Sequence, residues 1–155
     1  MIHEQLVVGP LRCNCHLLAD ARTREAVVID PGDDAPEILA AVRTLKLRVV
    51  ALLHTHAHFD HIGATRELRE ATGAPVLLHA GDRELYEALP EQVAAFGGMF
   101  GLPLGEAREP APVDRFVEDG DVVRFGREEL RVLHTPGHTP GSVCYAGEGR
   151  VFTGD

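Results

Sequence analysis

Apolar positions along this chain fall into short runs at both ends and into longer-period stripes in the middle. Residues 2–8 and 12–19 read as two strands joined around Gly9-Pro10, and 26–30 as a third after the polar turn 20–24. Asp30-Pro31-Gly32 ends that strand; Asp33 or Asp34 can cap a helix with Pro36 in its first turn. Ile38, Leu39, Val42 and Leu45 give that helix its apolar stripe. Residues 47–53 form a continuous apolar run, the pattern of a strand buried on both faces. A helix over 63–72 ending at Gly73, a strand over 75–79 and a helix over 81–89 follow. This alternation predicts a sheet carrying helices on its outer face. Residues 90–114, rich in Gly, Pro and Ala, read as a long loop anchored by Phe96, Met99, Phe100 and Leu102, either a flap beside the site or an ordinary surface excursion. From Arg115 the texture is all-β, with strands at 116–117, 121–125, 129–133, 142–146 and 150–153. Turns at Asp119-Gly120, Gly126 and Gly147-Glu148-Gly149 separate them.

A length of 155 residues suits one domain with a sizeable core. A formal net charge of −9 argues against a nucleic-acid partner, which would need a basic face to neutralise phosphates. It leaves room for a small anionic substrate, because a metal can supply local positive charge. No window approaches the roughly 18 apolar residues of a membrane span, and Met1-Ile2-His3-Glu4-Gln5 lacks the features of a signal peptide. Cytoplasmic residence is therefore expected, without a membrane partner. Cys13, Cys15 and Cys144 form no CxxC pair and read as buried or half-buried thiols.

The chemistry concentrates in Thr55-His56-Ala57-His58-Phe59-Asp60-His61, with His54 just ahead. Imidazole and carboxylate are the ligands that zinc and similar divalent metals prefer. An extended backbone puts positions i and i+2 on one side, so His56 and His58 can converge on one ion. Asp60 and His61 turn toward a second position. The segment His134-Thr135-Pro136-Gly137-His138-Thr139-Pro140-Gly141-Ser142 holds His138 in a turn made rigid by proline and sharp by glycine. That makes His138 the natural third nitrogen ligand. Thr153-Gly154-Asp155 ends a strand in a carboxylate, which in that place is commonly a cap or turn residue but beside two metal positions could bridge both ions. His16, His79 and His134 lie in strand-like segments and read as core or edge residues.

These motifs, with Asp30-Pro31-Gly32, resemble in order and separation the metallo-β-lactamase superfamily, most closely its glyoxalase II-like hydrolases. The resemblance implies an α/β (α+β) fold, a four-layer αββα sandwich with the site at one edge of its two sheets. It implies His56, His58 and His138 at a first metal, Asp60 and His61 at a second, and Asp155 bridging. Asp30 would orient ligands from behind by hydrogen bonds. The cofactors would be two divalent ions, zinc foremost, with iron or manganese as alternatives. Relatives of this kind continue past Thr-Gly-Asp to bring a last histidine to the second metal. This chain stops at Asp155, so residues 1–155 are expected to form such a domain lacking its C-terminal portion.

The implied reaction is hydrolysis of a thioester or ester, most closely of the hydroxyacylglutathione type, with a small molecule such as a glutathione thioester as substrate. Asp60 would hold the nucleophile in line and accept its proton. Lactonase and β-lactamase activities share the same ligands. A mononuclear iron persulfide dioxygenase, using His56, His138 and Asp155, is the alternative enzyme. A non-catalytic metal-binding module or inactive partner subunit is the alternative of another class.

Overall fold

The computed structural model describes residues 1–100 and 108–155, with the Phe100 side chain also outside the described set. Leu102, read from the sequence as an apolar anchor, lies outside the described residues, as does the side chain of Phe100. Strands β1 (Ile2–Val8), β2 (Cys13–Ala19) and β3 (Glu25–Ile29) form an antiparallel meander. Helix α1 (Ala35–Thr44) then crosses to β4 (Arg48–Leu53), which lies parallel to β3. Two short helices, α2 (Phe59–Ile62) and α3 (Thr65–Thr72), lead to β5 (Val76–His79). A 3-10 turn (Ala80–Asp82) runs into α4 (Arg83–Glu87) and α5 (Leu89–Phe100) before β6 (Arg115–Val117). The six strands β1 to β6 lie side by side in sequence order. A second, antiparallel sheet holds β7 (Val122–Phe125), β8 (Glu128–His134), β9 (Val143–Gly147) and β10 (Arg150–Phe152).

Strand alternation divides the core in two. Leu17, Val28, Leu52 and Leu78 point outward from the first sheet and pack with Ile38, Val42, Leu68 and Tyr86 of the helices. Leu18, Val27, Ile29, Leu53 and Leu77 point inward and meet Phe125, Leu130, Val132, Val143 and Tyr145 of the second sheet. The run predicted at 47–53 is therefore apolar throughout because β4 is covered on both faces. Among the described residues the layers run helices, sheet, sheet. Outward positions of the second sheet, Arg124, Glu129, Arg131 and Val151, are exposed.

Two sequence expectations need correction. Residues 90–114 are not one long loop, because α5 occupies the first part of that stretch. Pro90 falls in the first helical turn, where a missing N–H costs nothing. Leu89, Val93 and Phe96 keep a helical spacing through it, and the Gly97-Gly98 pair masked that stripe. The helix expected over 63–72 begins earlier and is broken: α2 already contains Asp60 and His61, and α3 resumes at Thr65. The break lies where the chain passes the Asp30-Pro31-Gly32 turn, with Ala64 N donating to Pro31 O at 2.9 Å. A Cβ on Gly32 would overlap the Asp60 carbonyl, so this approach requires glycine.

Candidate metal centre

The ends of β3, β4, β8 and β10 converge at one edge of the two sheets. Val143 N donates to Thr55 O at 2.8 Å and Tyr145 OH to His54 O at 2.9 Å, fastening β9 to the segment after β4. His54 itself is fully buried and faces away from the cluster. A carbonyl only accepts, so His54 Nδ1 donates to Leu77 O (3.0 Å), leaving Nε2 to accept from the Thr65 hydroxyl (2.8 Å). It joins β4, β5 and α3 and is a structural residue.

Among the described residues, three sets of side chains bring ligand-type atoms within 4.8 Å of one another. They are His56, His58 and His138; Asp60, His61 and Asp155; and Asp30, His56 and His61. The structure thus gathers every residue named from the sequence as a site candidate. His16, His79 and His134 are in none of these sets: His16 lies against His3 and Phe152, and His79 stacks on His134 at 4.0 Å.

In the first set, His58 Nδ1 and His138 Nε2 are 2.9 Å apart. The His56 ring centroid is 4.9 Å from that of His58 and 4.7 Å from that of His138. The proton positions follow from their neighbours. Thr55 Oγ1 uses its one proton on Asp30 Oδ2, at 2.6 Å, and so can only accept from His56 Nδ1 at 3.0 Å. His56 Nε2 is left with a bare lone pair, and it is buried without a hydrogen-bond partner. An unpaired buried nitrogen is costly, and a cation is the partner that a lone pair beside two other imidazoles accepts. Three imidazole nitrogens brought together in this way are a donor set that would hold a divalent ion such as zinc. Burial, followed by the charge of His61, pulls the His56 pKa down to about 4. Burial and then His138 lower that of His58. Both rings are therefore neutral near pH 7, the form that binds metal.

The second set is charged differently. His61 Nδ1 donates to Asp30 Oδ2 at 3.0 Å, and Cys13 Sγ lies 3.5 Å from the same nitrogen. His61 Nε2 faces Asp60 at 3.4 Å and Asp155 at 3.2 Å. Burial alone would lower the His61 pKa, but the hydrogen bond to Asp30 and then that to Cys13 overcome it and raise it to about 11. Burial works to raise Asp30, yet His61 and the two Thr55 donors hold its carboxyl below the usual range. Asp155 also lies 3.7 Å from His138 Nε2, so it stands between the two sets. A cavity of about 490 Å³ opens beside them, walled by Leu11, Phe59, Leu85, Phe96 and Met99, with His58, Asp60 and Asp155 at its polar end.

Three functional neighbours were not legible in the sequence. Thr55 fixes the His56 tautomer, Asp82 Oδ2 accepts from Ala57 N at 2.9 Å, and the Gln92 amide holds Ala57 O and Phe59 N, each at 3.0 Å. A lone Asp ahead of a helix reads as a cap, and Gln92 fell in the stretch read as loop.

The sequence matches the profile of the Metallo-beta-lactamase superfamily over residues 8–155. It is 35% identical over 156 residues to hydroxyacylglutathione hydrolase GloC of Haemophilus influenzae, covering 98% of this chain and 70% of that protein. Two solved structures share the fold closely. BLEG-1 B3 metallo-beta-lactamase superposes with a TM-score of 0.83 at 33% identity, over 98% of this chain and 71% of that one. TTHA1623, in a di-iron-bound form, gives 0.81 at 40% identity, over 97% and 70% of the two chains.

Proposed function

The chain belongs to the metallo-beta-lactamase superfamily of metal-dependent hydrolases, and from that premise we propose that it hydrolyses thioesters of the hydroxyacylglutathione type. The observation that carries this reading is the bare, buried Nε2 of His56 facing His58 and His138. In the proposal His56 Nε2, His58 Nδ1 and His138 Nε2 hold the first ion. Asp60 and His61 Nε2 hold the second, and Asp155 reaches both. Divalent ions held there supply the Lewis acidity that activates water near neutral pH and polarises a carbonyl.

The remaining work falls to the protein. Asp60, with a side chain 17% exposed, orients the attacking water and accepts its proton. Asp30 keeps His61 in the tautomer that presents Nε2. The apolar wall of Leu11, Phe96 and Met99 takes the acyl portion and sheds its water. A thiolate leaves readily because a thiol has a pKa of about 8.5, which favours thioesters over amides, whose amine leaving group needs a proton. The 35% identity to a hydroxyacylglutathione hydrolase supports the same substrate class.

Zinc-loaded protein is expected to cleave S-lactoylglutathione and to lose that activity on chelation. Failure to cleave this or other acyl thioesters with zinc, iron or manganese overturns the reading. The di-iron form of the 40% identical relative favours iron as the alternative metal. With iron, an oxygenase acting on persulfides is the second reading. Stoichiometric iron together with oxygen uptake on glutathione persulfide would establish it in place of the hydrolase.

A further inference from the structure

The three-histidine set is assembled from two loops that leave different sheets. His56 and His58 follow β4 of the first sheet; His138 lies between β8 and β9 of the second. Asp82, last residue of the 3-10 turn, is fully buried between these loops. Its Oδ2 accepts from Ala57 N (2.9 Å), the peptide between the two histidines, and from Thr139 Oγ1 (2.7 Å), next to His138. Its Oδ1 accepts from Gly141 N at 2.7 Å.

The hydroxyls form a directed chain. Thr139 spends its proton on Asp82, so the Ser142 hydroxyl donates to Thr139 Oγ1 at 2.8 Å, while Ser142 Oγ accepts from Thr139 N at 3.1 Å. The fit around the carboxylate is close. A Cβ on Gly141 would lie 2.5 Å from Asp82 N and 2.7 Å from its Cγ. Outside this contact the His79 and His134 rings stack at an interplanar angle of 11°, and His134 Nε2 donates to Pro140 O at 3.0 Å. The seam between the 3-10 turn and the His138 loop is thus closed from both sides.

We propose that Asp82 is the positioning residue of the metal centre, a buried carboxylate that sets the separation of the His56–His58 loop and the His138 loop. It touches no reacting group and acts through the histidines. A carboxylate suits the task because it accepts from donors on both loops at once. Its negative charge, in a dry setting, also favours a cation held between those loops. Changes to such outer partners typically cost about 10–100-fold in metal affinity. The inference rests on the reading of the three histidines as a metal site.

The test is a titration of the full chain with cobalt(II), followed by its visible d–d absorption. Asp82→Asn keeps the size but turns an amide N–H toward a donor on one of the loops. It should weaken cobalt binding by about 10–100-fold and change the spectrum. Thr139→Val removes the hydroxyl's bonds to Asp82 and Ser142 while keeping the side-chain shape and the Asp82 carboxylate. It should show a smaller loss in the same direction, and it keeps the test decisive if Asp82→Asn does not fold. Val132→Ala, in the core between the sheets, should lower Tm without moving either readout. Cobalt affinities within about twofold of wild type and unchanged spectra in the folded variants would overturn the proposal. Wild-type protein that takes up no cobalt would overturn the metal reading itself, and the role of Asp82 with it.

Discussion

Thr55 decides which nitrogen of His56 is free, and Asp30 does the same for His61. The two rings nevertheless differ in charge. His56 and His58 have lowered pKa values and are neutral at pH 7, whereas His61 is raised to about 11 and is a cation there. An ion entering beside Asp60 and Asp155 must therefore displace a proton from His61, whereas His56 and His58 offer no such competing proton at pH 7. A raised pKa means that the competing proton is present throughout the neutral range and is lost only as pH climbs. Second-site affinity is expected to tighten about tenfold per pH unit from 6 to 9, and first-site affinity, with His56 and His58 already neutral, to rise less steeply over the same range. Calorimetric zinc titration at several pH values checks this, and equal slopes for both sites would contradict it. The clustering of these residues was legible in the sequence, because three imidazoles and a carboxylate within six residues have no ordinary structural use. Asp82 and Thr55 were not, since a single Asp or Thr has many ordinary uses and only the folded chain shows which one applies.

At the scale of elements, α5 matters most for the site and was the least visible. Its Gln92 donates to Ala57 O at 3.0 Å and Leu85 O at 2.7 Å and accepts from Phe59 N at 3.0 Å, bracketing the peptide that bears His58. Gln92→Leu leaves these groups without partners. It should destabilise the protein by about 1–3 kcal/mol, read from urea unfolding. A change within experimental error would show that water replaces the amide. The strands, by contrast, were found to within about a residue, because period-2 and continuous apolar runs report burial directly. The stripe of α5 was interrupted by Gly97-Gly98 and preceded by Pro90, two signals that locally outweigh a three-residue apolar pattern. The split between α2 and α3 was equally hidden, since it depends on contact with a turn some thirty residues earlier.

Over the whole molecule, the end of the two sheets remote from Asp155 is joined through acidic residues of the first sheet that accept from the β7–β8 turn, Glu25 from Gly126 N and, above all, Asp20 from Arg127. Asp20, buried after β2, accepts from Arg127 N at 2.7 Å and from the Arg127 guanidinium at 2.7 and 3.0 Å, between β7 and β8. The Arg127 hydrogen bonds hold its carboxyl far below the usual carboxylate range. A depressed folded pKa contributes stability that is present above the unfolded value, near 3.9, and is lost as pH falls below it toward the folded value. Asp20→Asn should therefore be less stable than wild type at pH 7, with the gap shrinking below about pH 4. Thermal melts across pH 2–7 measure it, and a gap that does not change with pH would exclude the ion pair as its source.

The proposed metal site, with histidines drawn from both sheets, would give a bound state a topological property. His58 and His138 are 80 positions apart, and their ring nitrogens meet at 2.9 Å. An ion shared between them would close a loop of that length in any conformation that retains it, as a covalent cross-link does. By the chain-entropy arithmetic used for disulfides, such a closure is worth roughly 4–5 kcal/mol against the unfolded ensemble. The metal would then be a reversible tether between the two halves of the chain as well as a reagent, stabilising the fold by as much as it binds the folded chain more tightly than the unfolded one.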